Sequence, residues 1–534
     1  MESVLRDFRY GLRSLIKSPG LTIVATLALT LGIGVTVTMF SIVYGALMKG
    51  LPFPDGNRIV EVRHENPSLN RHRMNVPISD YEDYRAQQHT LEPIAAYYSG
   101  TVNVSGTGDA ERYMGAWVTA TTFDIARVRP LLGQTIHPGD DTPAGGKVAV
   151  ISYKMWQRRF GGDSSAIGQV IRANAAPFTI VGVMPEGFVF PDNADLWLPL
   201  QVDPLAMKRG DGQYLTVIGK LKPGLTAAQA AIDLNAIDRR LQTQYKETNE
   251  GISSTVESFV DAEIGPEPHQ LLYTMLGAVL FVLLIACANV ANLLLDRAAH
   301  KTREVGIRTA LGASRAAVVR QFLTEALVLS AAGAVLGTAL AQAGITAFNR
   351  ILVDTQAPFF IDIRLHPPMA LTTPVRQAIA SLNPDLPIYW VYSMEEAIAR
   401  PTWYIRTFGT MFMIFGAIAL FLASVGLYAV MSFSVSRRTR EVGIRMALGA
   451  QGGDVIRMIF RQGVWQLGIG MTLGLALAAG VAQFVRVILF QVEPRDPAIF
   501  GGVVLVLSVA GLLACLVPAR RATRVDPLVA LRAE

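Results

Sequence analysis

Three small groups of residues in this 534-residue sequence have types that could do chemistry, but none has the required spacing. His64 and His72, the closest histidines, do not form the HExxH arrangement of a zinc hydrolase. Asp140 and Asp141 precede a glycine-rich turn, a pattern more typical of a solvated turn than of a cation site. Segment 145–148, GGKV, lacks the leading glycine and the following Ser or Thr of a phosphate-binding loop. We therefore expect no catalytic residue, metal site or cofactor.

A different kind of chemistry, the docking of a partner, is indicated by a twelve-residue segment that occurs twice. Residues 302–313 read TREVGIRTALGA and residues 439–450 read TREVGIRMALGA, which gives eleven identities at an offset of 137. Each copy lies between two long apolar runs, so each is a charged segment at a membrane surface. A solvated basic loop is the alternative. We favour docking, because positive charge alone does not require eleven identities.

The repeated segment has the charges and apolar positions of a short docking helix. Ile307 and Leu311 in the first copy form an apolar stripe between mixed charges, as do Ile444 and Leu448 in the second. The glycine that follows each helix is a natural C-cap. The candidate docking residues are Thr302, Arg303, Glu304, Gly306, Arg308, Leu311, Gly312, Thr439, Arg440, Glu441, Gly443, Arg445, Leu448 and Gly449.

Six apolar runs must position these segments. Each run is close to the length of about 20 residues that a bilayer core requires. They cover 21–48, 271–295, 326–348, 408–433, 463–483 and 498–517. Both cysteines, Cys287 and Cys515, lie inside these runs, so no disulfide framework is expected. The sequence predicts an integral membrane protein with six transmembrane helices.

The charges of the connecting segments predict the orientation of these helices. Segments 1–20, 296–325, 434–462 and 518–534 together hold 20 Lys and Arg against 9 Asp and Glu, whereas 49–270 holds 21 against 26. By the positive-inside rule, both termini are cytoplasmic and 49–270 is extracytoplasmic. The basic excess reports topology and contact with lipid, so no nucleic-acid partner is expected.

The extracytoplasmic segment mixes strand and helix patterns, which predicts one α+β domain. Short β-branched runs at 147–152, 169–173 and 178–184 indicate strands, and 79–88 and 226–244 indicate helices. Thr226 is the expected N-cap of the second helix. The expected buried face of that helix consists of Ile232, Leu234, Ile237 and Leu241.

Small and polar residues inside the apolar runs indicate how the helices pack. Asn289 and Asn292 need partners in hydrocarbon, so we expect hydrogen bonds across a helix interface. The pairs 333/337 and 470/474 have GxxxG spacing, which permits close helix approach. Glu325 is placed at the start of the third run, and its counterpart in the second copy is Gln462. No ionisable residue then lies deep in a run, and no ion pathway is expected.

Several segments, in order, resemble the FtsX-like/MacB-type permeases of ABC systems, and within them the duplicated orphan permeases. The start through residue 55 resembles the family's amphipathic helix (1–20), first span (21–48) and entry to the outer domain. VTATTFDIARVRPLLGQTI, AVISYKMWQRRFGGD and FTIVGVMPEGFVFP resemble the MacB-type periplasmic core domain, assigned to 49–270. ACANVANLLLDRAAHKTREVGIRTALGA, the second TREVGIRMALGA and VPARRATRVDPLVALRAE resemble two coupling segments and the C-terminal tail (518–534).

The resemblance implies two FtsX-like permease units, of which the second is shortened. Unit 1 covers 271–348 with coupling loop 296–325, and unit 2 covers 408–517 with coupling loop 434–462. Residues 349–407 look like the stub of a truncated second core domain. Relative to the family pattern, one fourth span, one first span and most of the second outer domain are missing.

The resemblance also implies a function in the bacterial plasma (inner) membrane. A separate cytoplasmic ABC ATPase dimer would bind the fourteen candidate residues as ATPase-coupling residues, and its motion would be relayed to the outer domain. The expected result is export or extraction of an envelope substrate. The alternative is a non-transport regulator that activates an envelope enzyme. Membrane lipids, a second permease chain and a periplasmic adaptor are the further candidate partners, and no enzymatic activity is expected in the chain itself.

Overall fold

The structure is a computed structural model that describes residues 13, 15–106, 110–203, 207–311, 314–356, 379, 381, 403–437, 444, 451–485 and 497–522. The chain divides into two compact units. The helical unit comprises Met1–Gly45, Pro266–Ala357 and Ala399–Glu534, and the sheet unit comprises Ala46–Gly265 and Pro358–Ile398. Most of the predicted amphipathic helix, most of the stub and the end of the tail lie outside the described residues.

The described chain contains thirteen α-helices and twelve strands. The helices are α1 (Pro19–Val43), α2 (Ile78–Gln87), α3 (Thr121–Ala126), α4 (Tyr153–Phe160), α5 (Ala227–Gln244), α6 (Lys246–Asn249), α7 (Phe259–Ile264), α8 (Pro266–His300), α9 (Thr302–Ala310), α10 (Arg315–Gln356), α11 (Trp403–Arg437), α12 (Gly452–Val485) and α13 (Pro497–Ala522). The strands are β1 (Ile59–Asn66), β2 (Arg71–Met74), β3 (Val76–Pro77), β4 (Leu91–Ser105), β5 (Glu111–Val118), β6 (Leu132–Gly133), β7 (Val148–Ile151), β8 (Val170–Ala173), β9 (Ala176–Val183), β10 (Leu196–Pro199), β11 (Tyr214–Leu221) and β12 (Ser253–Ser258).

The sheet unit is built on one mixed sheet of twelve strands. Its main order is β12-β1-β11-β4-β5-β10-β7-β9-β6, and β2, β3 and β8 pair at its sides. The β5/β10 and β7/β9 pairs are parallel, and the other pairs are antiparallel. Helices α2 and α5 supply Tyr81, Tyr84, Leu234 and Ile237 to one buried cluster. The α+β character expected from the sequence is confirmed.

Helix α5 shows where the sequence pattern predicted local structure correctly and where it did not. The Thr226 hydroxyl accepts from the backbone N–H of Gln229, and the Gln229 side chain accepts from the N–H of Thr226, which completes a capping box. Leu234, Ile237 and Leu241 are buried as expected. Ile232 is 68% exposed, so its assignment to the buried face was wrong. The buried positions 230, 234, 237 and 241 follow the helical period, and 232 lies on the opposite side.

Apolar helices make up the helical unit. Among the described residues, five stretches are long and apolar enough to cross a membrane: Pro19–Met48, Pro268–Ala299, Arg315–Arg350, Thr407–Ser434 and Ile456–Gly480. The sixth predicted span falls in α13, whose apolar part is the shorter stretch Phe500–Leu516. The count of six predicted spans therefore remains an expectation.

The internal repeat of the sequence is also a repeat of helices. Helix α11, described over Trp403–Arg437, covers the positions that lie 137 residues after α8, the same offset that separates the two docking segments. Helices α10 and α12 begin at Arg315 and Gly452, which differ by 137 as well. The repeated unit thus comprises two long helices with the docking segment between them.

Helix α1 packs against α10 through positions that have no side chain. A Cβ added at Gly333 would lie 2.5 Å from the Cβ of Leu29, and one added at Gly337 would lie 3.0 Å from the Cβ of Ile33. From the other side, a Cβ at Gly34 would lie 2.7 Å from Leu340. Such close contact maximises van der Waals attraction between helices in lipid, where no hydrophobic driving force operates. The close approach expected for the first GxxxG pair is confirmed.

The corresponding glycines of the second copy have no such contact. Among the described residues, no atom lies within 4 Å of a Cβ built at Gly470 or Gly474. These glycines instead line a cavity of about 430 Å³ between α11, α12 and α13. The expectation of close packing at this pair is not met in the described part of the chain.

The two copies meet where α8 packs against α11. The Asn289 side-chain amide donates to the carbonyl of Leu422 at 2.5 Å, which confirms the expected hydrogen bond across a helix interface. The Asn289 side chain lies against Gly426, where an added Cβ would be 2.2 Å from its Oδ1. Because 289 and 426 also differ by 137, equivalent positions of the two copies contact each other.

We expect Gly333→Ala to destabilise the helical unit by about 1–3 kcal/mol, because the added methyl group forces α1 away from α10. Gly277→Ala, in α8, is the matched control, because no atom of the described residues lies within 4 Å of a Cβ built there. That change should be neutral or stabilising by up to about 1 kcal/mol through helix propensity. Thermal unfolding of both variants in the same detergent would measure the difference. Equal melting temperatures would contradict the close α1–α10 contact.

Candidate coupling site

The first docking segment is helical and is continuous with the helices beside it. Helix α8 ends at His300, Lys301 separates it from α9, and α9 runs over Thr302–Ala310. Thus Thr302, Arg303, Glu304, Gly306 and Arg308 belong to one short helix, as the charge pattern predicted. Within the predicted coupling loop 296–325, the first residues continue α8 and the last eleven belong to α10.

The apolar stripe of α9 faces away from the rest of the described protein. Ile307 is 55% exposed, and Leu311, just beyond the end of the helix, is 82% exposed. These positions are four residues apart and therefore lie on one face of a helical turn. Glu304 is half-buried on the same helix. An exposed apolar pair beside charge is the composition expected of a helix that enters a partner's groove.

The second docking segment lies largely outside the described residues. Gly312 of the first set and Thr439, Arg440, Glu441, Gly443, Arg445, Leu448 and Gly449 of the second are all outside them. Ile444, the counterpart of Ile307, is described: it is helical and 43% exposed. This residue therefore resembles its counterpart in both backbone conformation and exposure.

A buried ion cluster joins the three helices around the first docking segment. Glu325 of α10 is fully buried, and its Oε1 lies 2.8 Å from Nζ of Lys301, the residue that precedes α9. Its Oε2 lies 3.5 Å from the guanidinium of Arg297 near the end of α8. The Lys301 ammonium also lies 6.0 Å from the centroid of the Phe322 ring. The Glu325 carboxylate thus connects α10 both to the end of α8 and to the residue that precedes α9.

The sequence interpretation missed this cluster because it placed Glu325 at the start of a span. Helix α10 begins at Arg315, ten residues earlier, so Glu325 lies three turns inside it. The available signal was the spacing of Arg297 and Lys301, which lie on one helix face at i and i+4. Two cations on one face, close to a carboxylate in an otherwise apolar helix, indicate an ion pair between neighbouring helices.

The second copy lacks two of the three charges of this cluster, although Arg438 corresponds to Lys301. At the offset of 137, Arg297 corresponds to Ser434 and Glu325 corresponds to Gln462. Removing one partner of a buried ion pair costs about 3–5 kcal/mol, whereas replacing the whole set with neutral residues can cost nothing. The ion cluster of the first copy therefore has no full counterpart in the sequence of the second.

Four polar side chains of the sheet unit form a buried cluster. The Tyr84 hydroxyl donates to Asp238 at 2.5 Å and also lies 2.7 Å from Nε2 of His64 and 2.8 Å from Oγ of Ser254. Burial lowers the pKa of His64 to about 4 and raises that of Asp238 to about 6. All four residues are at most 3% exposed, so the cluster ties α2 and α5 to β1 and β12 and offers no surface to a substrate.

The remaining candidates from the sequence have ordinary structural contacts. Asp140 accepts from the backbone N–H of His137 at 2.9 Å, and Asp141 accepts from that of Ala120 at 2.9 Å. These carboxylates stabilise turns, which supports the solvated-turn interpretation. Among the described residues, no three His, Cys, Asp or Glu side chains are placed to hold a metal ion.

Comparison with known proteins assigns both units of the chain. Residues 22–237 match the MacB-like periplasmic core domain, and residues 276–373 and 413–527 match the FtsX-like permease C-terminal domain. A chain with these domains and several apolar helices is the transmembrane permease component of an ABC system. It belongs to the FtsX/MacB-type ABC permeases.

Two curated relatives cover different lengths of the chain. The pyoverdine export ATP-binding/permease protein PvdT of Pseudomonas syringae pv. tomato is 33% identical over 248 residues, which are 45% of this chain and 36% of the relative. The macrolide export ATP-binding/permease protein MacB of Campylobacter jejuni is 26% identical over 358 residues, 65% of this chain and 54% of the relative. The chain therefore spans between about a third and about half of these relatives.

One solved structure that the chain matches is the periplasmic region of MacB from Actinobacillus actinomycetemcomitans. The match has a TM-score of 0.30 and 15% sequence identity. It covers 39% of this chain and 92% of that structure.

We expect Glu325→Gln to loosen the first docking segment, because Arg297 and Lys301 then lose their counter-charge inside the protein. The helical unit should lose about 3–5 kcal/mol of stability. Backbone hydrogen exchange across 302–311 should become faster. The measurements are thermal unfolding and hydrogen exchange by mass spectrometry in detergent.

The matched control combines Arg297→Ser with Glu325→Gln, which reproduces the neutral residues of the second copy. This double variant should be more stable than Glu325→Gln alone, because it removes one of the two cations that the single variant deprives of the Glu325 carboxylate. If Glu325→Gln leaves exchange at 302–311 unchanged, the ion cluster does not hold α9.

Proposed function

We propose that this chain is the permease subunit of an ABC-type system in which a separate cytoplasmic ATPase dimer binds the two docking segments. ATP-driven motion of that dimer would be relayed through the helices to the sheet unit, and the result would be export or extraction of an envelope substrate. The observation that carries the proposal is α9 itself: a short helix with an open apolar face, held by a buried ion cluster between two long helices.

The geometry of the first segment suits transmission of a force. A docking helix transmits motion only if it is firmly attached to the helices that must move. Lys301 lies directly before α9, and Glu325 is the carboxylate that holds it. Displacement of α9 by a partner would therefore act on α8 through Arg297 and on α10 through Glu325.

We further propose a six-span arrangement in the inner membrane. The basic segments would face the cytoplasm together with both termini, and the sheet unit would be extracytoplasmic. This orientation places both docking segments on the side where ATP is available. The curated relatives are named for export, which favours export over the regulatory alternative. We propose no enzymatic activity for the chain itself.

Reversing the charge at Glu304 and Glu441, by Glu304→Arg with Glu441→Arg, should reduce co-purification of the ATPase more than tenfold. The loss of complementary charge at an interface typically costs about 2–5 kcal/mol. Glu186→Arg, an exposed acid of the sheet unit, is the control for expression and insertion. The measurement is the amount of ATPase retained per permease after purification in mild detergent. Unchanged retention would mean that the repeated segment is not the binding site.

We also propose that the chain associates with a second permease chain through the small-residue face around Gly470 and Gly474. The support is that this face has no contact among the described residues, whereas its equivalent in the first copy packs against α1. The mass of the purified protein in nanodiscs should correspond to two permease chains. A monomer that still stimulates ATP hydrolysis by its partner would contradict the pairing.

A further inference from the structure

A large groove in the sheet unit carries an excess of positive charge. Its volume is about 950 Å³, which is near the upper end of the range for ligand sites. It is formed by four segments, 55–58, 92–93, 123–135 and 220–223. The charged side chains that line it are Arg58, Arg127, Arg129, Lys220 and Lys222 on one hand, and Asp55, Glu92 and Asp124 on the other.

Three of the five cations already have partners inside the protein. The Lys220 ammonium, which is 2% exposed, donates to the carbonyl of Pro54 at 2.9 Å and lies 3.2 Å from Asp55. The Arg58 guanidinium donates through Nε to the carbonyl of Leu221 at 2.9 Å. Lys222 forms an ion pair with Glu92 at 3.6 Å. These contacts shape the groove and neutralise two of its three acids.

Arg127 and Arg129 differ from the other three. Both are exposed in the groove, and neither guanidinium has a hydrogen-bond or ion-pair partner among the described residues. Asp124 is the one acid of the groove that is left to balance two arginines. Lys220 chiefly lowers the pKa of Asp55, and Arg58 and Arg127 lower it further, so the field of the groove already favours negative charge.

The backbone that carries these arginines is fixed at both ends. Arg127 has φ 53° and caps α3, with its N–H donating to the carbonyl of Phe123 at 2.9 Å. Pro130 follows Arg129, and the N–H of Leu131 then donates to Val183 at 2.7 Å. The segment therefore presents the two arginines from fixed backbone positions.

Apolar residues also line the groove. Phe123 and Val128 line it together with three prolines, Pro93, Pro130 and Pro223. A ligand that suits both the arginines and the apolar residues of the groove has an anionic group and an apolar or flat body. Two guanidinium groups offer more donors than the two oxygens of one carboxylate accept, and the three free oxygens of a phosphate suit them better.

We propose that this groove binds a phosphate-bearing ligand through Arg127 and Arg129, with its apolar part against Phe123 and the prolines. The same chemistry is offered by the headgroup of an anionic phospholipid and by a soluble phosphate compound. The site lies within the sheet unit alone and does not depend on the docking of an ATPase.

The test uses the full chain and two probes. In the soluble arm, inorganic pyrophosphate is titrated by calorimetry into the protein in an uncharged detergent. In the lipid arm, hydrogen exchange at 121–135 is compared in nanodiscs of phosphatidylcholine with and without phosphatidylglycerol. We expect binding in the first arm, or protection in the second, and the arm that responds identifies the source of the phosphate.

The decisive variant is Arg127→Gln with Arg129→Gln. It removes both guanidinium groups and retains an extended polar side chain at each position, so the fold should be preserved. Hydrogen bonds to charged groups are each worth about 1.5–3 kcal/mol, so the affinity or the protection should fall at least about tenfold. Arg127→Lys with Arg129→Lys should retain part of the effect. Arg239→Gln, an exposed arginine of α5 outside the groove, should change nothing.

Two results would overturn the proposal. One is the absence of any response to either probe by the unaltered protein. The other is a response that persists in the double Gln variant or that falls equally in Arg239→Gln, because binding would then not depend on this groove. The melting temperature of each variant shows whether a lost response reflects lost structure.

Discussion

The contact between α1 and α10 leaves no room for a single methyl group, and the first half of the helical unit depends on it. Leu29 and Ile33 lie where the side chains of residues 333 and 337 would be. In lipid, apolar side chains gain nothing by leaving one apolar medium for another, so stability must come from closeness of packing and from satisfied polar groups. The glycines permit the close packing, and the hydrogen bond of Asn289 to Leu422 satisfies a polar group.

These contacts divide six helices into two groups of three. Each group contains one copy of the repeated helix pair and one further helix. In the first, α1 packs on α8 and α10, and in the second, α13 packs on α11 and α12, where a Cβ at Gly511 would lie 2.9 Å from Leu467. The docking segment of the first half is fastened by Glu325, whereas the second half has Ser434 and Gln462 in place of Arg297 and Glu325. A partner with two equal halves would thus meet two mechanically unequal attachments.

The sequence predicted the elements whose signals are local. Thr226 and the strand runs were placed correctly, since caps and β-branched alternation depend on a few neighbouring residues. Ile232 was misplaced because hydrophobic type alone does not determine the side of a helix that meets the sheet. Glu325 was misplaced because the start of α10 lies in a polar stretch that looks like a loop. Its partners come from other helices, and a single sequence does not show which helices are neighbours.

Asn289 and Gly426 occupy the same position in the two copies and contact each other. In an assembly of two identical units, a position on the symmetry axis meets its own copy, so Asn would face Asn and Gly would face Gly. Two asparagines would not fit here, because even a Cβ at 426 would lie 2.2 Å from the Asn289 side chain. Asparagine at 289 therefore requires glycine at 426. At this position the two copies could be made alike only as a pair of glycines, and that pair would lose the hydrogen bond of Asn289 to Leu422.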